Sequence, residues 1–306
     1  MLKLTHGKQK LKVCCTYLYP RAPKSIIMKS IVKQDSITGE DIQLSFTDYG
    51  AGRPVVLIHG WPLSKEMWEY QVDDLVSAGL RVITYDRRGF GHSARPWQGY
   101  DYDSLTEDLK DIMEQLDLRD TVLVGFSMGG GEAVRYLSRY GSERVSQLVM
   151  ISAVPPFLAK TPNNPDGVDQ NVFEDIMANL KEDRIGFLDD FGKKFFGVGF
   201  MNHPVSAPLL DYYRMLASVA SPRATQQWAI SFAQTDFRAD VQAINVPTLI
   251  IHGDADETVP IKSSSDRTAA IISGSQYLVF EDAPHGLFYT HKEKLNRDLI
   301  TFITSA

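Results

Sequence analysis

A serine becomes a nucleophile when a tight turn holds its hydroxyl clear of the backbone beside a base. Residues Gly125-Phe126-Ser127-Met128-Gly129 have the types and spacing for this and fit the pattern G-x-S-x-G. The apolar run Val122-Leu123-Val124 before them reads as a buried strand, and Ala133-Val134-Arg135-Tyr136-Leu137 after them reads as a helix. Small residues two positions to either side of Ser127 let strand and helix approach closely. The hydroxyl then projects above a sheet, and the Met128 amide, at a helix N-terminus, aims at a developing oxyanion. Glu132 reads as a first-turn acid that complements the helix dipole.

A serine hydroxyl is a weak nucleophile at neutral pH. It needs a histidine to take its proton and a carboxylate to fix that histidine's tautomer. Asp282-Ala283-Pro284-His285-Gly286 follows the last apolar run and offers His285 as the base. Ile250-Ile251-His252-Gly253-Asp254-Ala255-Asp256 offers two acids. Asp254 directly follows a glycine and can close its own turn. Asp256 lies further along the loop and is the expected partner of His285. The chain order serine, acid, histidine is that of the α/β hydrolases. A second oxyanion donor is expected from the Trp61 amide in His59-Gly60-Trp61-Pro62. Pro62 pushes Trp61 into an extended conformation and limits where its carbonyl can point; the plainer reading is that Pro62 starts a turn. Asp86, before Arg87-Arg88, reads as a structural ion-pair partner. His59 and His252 read as loop braces, His92 as structural, and His6, His203 and His291 as surface or tail residues. These dispersed histidines lack the clustered spacing of a metal site, so no metal is expected.

Eight strands are needed to position these residues. They are read at 30–34, 42–48, 54–58, 81–85, the apolar run 122–124, 147–151, 248–251 and 277–280. Helical spacing falls between them, at 67–77, 104–116 and 295–303 among others. Strands alternating with helices imply a mainly parallel sheet with helices on both faces, with function at the carboxyl ends of the strands. Between 154 and 245 the alternation stops. Pro155-Pro156 and further turn residues lead into helical segments rich in Phe and Tyr, read as a cap inserted into a core of residues 29–153 and 246–306. Phe126, Phe191, Phe232 and Thr258 are expected to line an acyl pocket.

Composition bounds the rest. The chain has 306 residues, 43% hydrophobic and 23% charged, as in ordinary globular proteins. Its net charge of −6 gives no reason to expect nucleic acid as a partner. No apolar run approaches the ~18 residues that suggest a membrane span. Residues 1–28 carry six basic side chains and no acid, which leaves 26 basic residues against 38 acidic ones in the remainder. This stretch is expected to be a disordered extension, or translated sequence upstream of a start at Met28. Both cysteines, Cys14 and Cys15, lie in it, so the body has no disulfide framework. A cytoplasmic protein is expected.

Beyond single motifs, the stretch from about Met28 to Ala306 resembles the cofactor-free (non-haem) haloperoxidase, or chloroperoxidase, and aryl esterase family of α/β hydrolases. The resemblance rests on Leu57-Ile58-His59-Gly60-Trp61-Pro62, Tyr85-Asp86-Arg87-Arg88-Gly89-Phe90-Gly91-His92-Ser93 and Gly125-Phe126-Ser127-Met128-Gly129-Gly130-Gly131-Glu132. It continues through Thr235-Asp236-Phe237-Arg238, Ile251-His252-Gly253-Asp254-Ala255-Asp256 with Val259-Pro260, and Pro284-His285-Gly286. It implies an α/β-hydrolase fold with an eight-stranded, mainly parallel sheet. It places the triad on Ser127, Asp256 and His285 and the oxyanion amides on Trp61 and Met128. The implied activity is serine ester hydrolysis on small acyl groups and perhydrolysis, in which hydrogen peroxide replaces water and a carboxylic acid becomes a peracid that oxidises halide. Pro62 matches members with stronger perhydrolysis, and relatives suggest a homo-oligomer. The alternatives are hydrolysis of a lactone or a carbon–carbon bond by the same serine, or a non-catalytic receptor on the same fold. A receptor is disfavoured because no site residue is missing. Ser127 also argues against haloalkane dehalogenase and epoxide hydrolase chemistry, which use an aspartate nucleophile.

Overall fold

The computed structural model describes residues 29–305. The expectations for residues 1–28 lie outside the described residues. Eight strands form one sheet: β1 (Lys29–Gln34), β2 (Asp41–Gly50), β3 (Pro54–Ile58), β4 (Arg81–Tyr85), β5 (Thr121–Phe126), β6 (Val145–Ile151), β7 (Thr248–Gly253) and β8 (Gln276–Phe280). Their spatial order is β1-β2-β4-β3-β5-β6-β7-β8. β2 pairs antiparallel with β1 and with β4, and every pairing from β4 through β8 is parallel.

The central strands read as continuous apolar runs because both faces are covered. Residues of β3, β5 and β6 alternate between two cores. Val56, Ile58, Leu123 and Leu148 pack on one face with Leu105, Leu109 and Ala133. Val55, Leu57, Val124 and Val149 pack on the other with Leu75, Leu295 and Leu299. The first layer is built on α2 (Tyr102–Gln115) and α3 (Met128–Tyr140), the second on α1 (Glu69–Ser77) and a C-terminal helix, Lys292–Thr304. The α1 segment enters through a 3₁₀ turn over Lys65–Trp68, so the expected helix begins irregularly. Asp101 caps α2 by accepting from the Ser104 amide at 2.8 Å.

Between β6 and β7 the chain forms five helices: α4 (Gln170–Glu182), α5 (Arg184–Phe195), α6 (Ala207–Val219), α7 (Pro222–Gln234) and α8 (Arg238–Gln242). Ser206 and Ser221 cap α6 and α7, each with a proline in the first turn, where a missing N–H costs no helical bond. Beyond β7 come α9 (Ser265–Ile271), the single turn α10 (Leu287–Thr290) and α11, the helix Lys292–Thr304. The sequence reading did not resolve α8, α9 or α10, each of seven residues or fewer.

Register puts the strand ends together. Ile58 at the end of β3 lies beside Gly125 of β5, so the His59–Trp61 turn lies alongside Ser127. Gly253 at the end of β7 lies beside Phe280 of β8, which brings the loops carrying Asp256 and His285 side by side. The amides of Asp254 and Ala255 then donate to the carbonyls of Phe280 and Ala283, at 3.1 and 3.2 Å, and tie the two loops together.

Candidate active site

Ser127 sits between β5 and α3 at φ 54°, ψ −120°. This is a positive-φ position that a serine occupies only when its surroundings impose it. The Ser127 amide donates to the Ile151 carbonyl, and its carbonyl accepts from Gly130 and Val154. The glycines around it answer to close approaches. A Cβ on Gly125 would lie 2.7 Å from the Gly130 Cα, and one on Gly131 would lie 2.7 Å from the Phe237 ring.

Ser127 Oγ lies 3.0 Å from His285 Nε2, and His285 Nδ1 lies 2.6 Å from Asp256 Oδ2. The structure thus joins the three expected residues in one hydrogen-bonded line, all of them buried. The second oxygen of Asp256 accepts the amides of Thr258 and Val259 at 2.9 and 2.8 Å. Burial alone would raise the Asp256 carboxyl. The facing His285, with His252 behind it, outweighs burial and holds it well below the usual carboxylate range. Asp254 is exposed and takes no part in this line. Such a line can draw the proton from Oγ onto Nε2 while the carboxylate stabilises the imidazolium.

The amides of Trp61 and Met128 have no hydrogen-bond partner among the described residues. Gly60 lets their two segments meet, since a Cβ there would lie 2.6 Å from the Phe126 ring and 3.1 Å from the Ser127 Cβ. The Trp61 ring donates from Nε1 to the Thr225 carbonyl at 2.9 Å and packs against Phe187, Phe191 and Phe232. The Trp61–Pro62 peptide is cis.

Ser127 opens onto a cavity of about 890 Å³. Trp61, Phe191, Phe232 and Thr258 line it, with Val154 and Leu158. Phe126 does not, contrary to expectation. It has the parity of Val122 and Val124, so the pleat turns it to the opposite face of the sheet. There it packs against Trp68, Phe288 and the His285 ring, 4.9 Å centroid to centroid. Phe195 of α5, which the sequence reading did not single out, meets the same imidazole edge-on at 4.8 Å, and its carbonyl accepts the Gly286 amide at 2.8 Å. Pro62 lies outside the wall of this cavity and faces a void of about 20 Å³ with Tyr213 and Phe195.

One expected charge role needs correction. Glu132 lies beyond the first turn of α3 and is fully buried, rather than complementing the helix dipole from that turn. It accepts from Arg87 Nε and the Tyr85 hydroxyl, and Arg87 Nη2 donates to the His59 carbonyl. Helix periodicity cannot distinguish this inward position from an outward one when the neighbours are glycines. Asp86 does pair structurally, but with Lys65 at 2.9 Å and not with its neighbours Arg87 and Arg88. Arg88 reaches Asp108 at 2.6 Å. Consecutive residues at a strand end diverge, so adjacency in sequence was a poor guide.

The histidines expected as braces do brace. His59 Nε2 accepts the Arg87 amide at 3.2 Å, which leaves the proton on Nδ1, 2.9 Å from the Gly60 carbonyl. Burial, with Arg87 close by, pushes His59 well below the ordinary imidazole value. His252 lies between Val259 and Ser265. His203 is exposed, whereas His291 is half-buried against the Phe280 ring. No cluster of three potential metal ligands, and no helix long and apolar enough to cross a membrane, occurs among the described residues.

A buried serine on a strained strand–helix turn, aligned with a histidine and an acid from later strand ends, is an α/β-hydrolase arrangement. Residues 53–292 match the family described as the alpha/beta hydrolase fold, and the chain belongs to that family. Within it, the chain is 39% identical over 268 residues to non-heme chloroperoxidase CPO-A1 of Kitasatospora aureofaciens, covering 87% of this chain and 98% of that one. It is 35% identical over 271 residues to the bifunctional esterase/perhydrolase DCH of Acinetobacter calcoaceticus, covering 88% and 98%. The fold superposes on the bromoperoxidase from Bacillus anthracis with a TM-score of 0.86 at 45% identity, covering 90% of this chain and 100% of that one.

Proposed function

We propose that this protein is a serine esterase and perhydrolase of the cofactor-free haloperoxidase type. The observation that carries the reading is the line from Ser127 Oγ through His285 to Asp256, at 3.0 and 2.6 Å, at the wall of a cavity that Trp61, Phe191 and Phe232 help to line. His285 takes the Ser127 proton as Oγ attacks the acyl carbon of an ester or carboxylic acid. The amides of Trp61 and Met128 receive the oxyanion, and His285 returns the proton to the departing alkoxide or hydroxide. Water or hydrogen peroxide then attacks the acyl-enzyme and releases a carboxylic acid or a peracid. The peracid oxidises halide away from the protein. Pro62 tunes the choice between water and peroxide through the Trp61 carbonyl. No cofactor is assigned, in keeping with the resemblance to the cofactor-free haloperoxidases. A homo-oligomer in the cytoplasm is the form we assign, the first from the family resemblance and the second from a body without cysteines.

The test compares the wild type with Ser127→Ala. Wild type hydrolyses p-nitrophenyl acetate and, in acetate buffer with hydrogen peroxide and bromide, brominates a dye. Ser127→Ala does neither. Bromination that persists in Ser127→Ala, or that a chelator abolishes in wild type, defeats the peracid route.

A further inference from the structure

The acid of this proton relay is shared by a second imidazole. Asp256 Oδ2, which accepts from His285, also lies 3.2 Å from Nε2 of His252. His252 is fully buried on β7. Its Nε2 lies 2.9 Å from the Val259 carbonyl, so Nε2 carries the proton and donates it there, with Asp256 Oδ2 3.2 Å from the same nitrogen. Nδ1 lies 2.6 Å from Ser265 Oγ on α9, whose hydroxyl donates to it and fixes the tautomer. Acyl transfer by Ser127, His285 and Asp256 has no step that calls for this second ring.

We propose that His252 is a positioning residue that acts through Asp256 and sets the pH range in which His285 works as a base. The inference rests on the reading of Ser127, His285 and Asp256 given above. A carboxylate favours a protonated imidazole beside it according to the charge it has free to offer. A polarised N–H beside the same oxygen offsets part of that charge, so imidazolium formation at His285 is less favoured than beside a carboxylate without that neighbour. The base then stays unprotonated, and active, further toward acid pH. The titratable and polar groups facing the cluster come from several elements. They are His285 after β8, Asp256 after β7, Ser265 on α9 and Ser127 at the elbow. Phe126 and Phe195 close the remaining sides of the His285 ring. The low value of the Asp256 carboxyl, to which both histidines contribute, agrees with this arrangement.

The experiment is the pH dependence of kcat/KM for p-nitrophenyl acetate in wild type, His252→Met, His252→Gln and Ser265→Ala. Methionine fills the space without an N–H, while glutamine returns an amide N–H near the position of Nε2. The acid limb moves to higher pH by about 0.5–1 unit in His252→Met. It moves by less in Ser265→Ala and returns toward wild type in His252→Gln. The plateau above the limb changes little. A residue that only braced the loop would lower the plateau and leave the midpoint in place. That result, or a midpoint that moves to lower pH, overturns the proposal. Should His252→Met fail to fold, Ser265→Ala decides, since an unmoved midpoint there is equally fatal. Ser127→Ala runs alongside. Turnover retained in it defeats the relay and with it the role of His252. Loss of turnover in it, with superimposable profiles for the His252 and Ser265 variants, defeats the role of His252 alone.

Discussion

Replacing Glu132 with glutamine tests whether the buried Arg87–Glu132 pair fixes the floor of the site. Glu132 is fully buried and accepts from two donors, Arg87 Nε and the Tyr85 hydroxyl, while Arg87 also holds the His59 carbonyl. Glu132→Gln keeps the shape but leaves the Arg87 guanidinium without a counter-charge in a dry interior. Breaking such a pair costs ~3–5 kcal/mol. At ~2–3 °C per kcal/mol for a domain of this size, the melting temperature falls by ~6–15 °C. Replacing both partners, Arg87→Met with Glu132→Leu, recovers most of the stability lost by either single change, because apolar replacements of a buried ion pair are often neutral. Activity does not recover, since the His59 carbonyl has lost its anchor. The assay is thermal unfolding at a fixed scan rate for wild type, Glu132→Gln, the two single variants and the double variant, with kcat alongside. A Glu132→Gln melt within 1–2 °C of wild type would refute the argument, as would a double variant that is as destabilised as the sum of the two singles.

Other perturbations probe the site from different sides. Gly60→Ala drives a methyl group to 2.6 Å from the Phe126 ring and displaces the Trp61 amide, so kcat falls ~10²–10³-fold with KM little changed; an unchanged kcat means that amide is not an oxyanion donor. Pro62→Leu lowers the ratio of perhydrolysis to hydrolysis, and an equal ratio reduces Pro62 to turn chemistry. His59 is held neutral well below the ordinary imidazole value, so its contribution to stability is present above ~6.5 and is lost as pH falls below it. Urea midpoints from pH 7 downward therefore fall less steeply in His59→Gln than in wild type, and parallel curves would contradict the assignment.

The strands and the Ser127, Asp256 and His285 positions were legible because each rests on local signals: apolar runs, a glycine-flanked turn and strand-end loops in a fixed order. Asp256 over Asp254 was legible for a geometric reason. Its place further along the loop lets it reach His285, while Asp254 stays exposed. What stayed hidden depends on contacts between segments far apart in the chain. Nothing near Lys65 announces Asp86, and Asp86-Arg87-Arg88 fans out to Lys65, Glu132 and Asp108. Phe126 was misplaced because one residue of strand parity decides between cavity and core. His252 was read as a loop brace, but its contact with the acid depends on how the β7 loop folds back upon itself.

The account turns on one intermediate, an acyl group on Ser127 that water and peroxide compete to remove. Intact-protein mass spectrometry of samples quenched during turnover of p-nitrophenyl acetate measures it directly. Wild type carries an acetyl group that peptide mapping places on Ser127, and its occupancy falls as hydrogen peroxide is added while peracetic acid appears. Peracid formed with no acetyl group on Ser127, or with an occupancy indifferent to peroxide, would contradict the account.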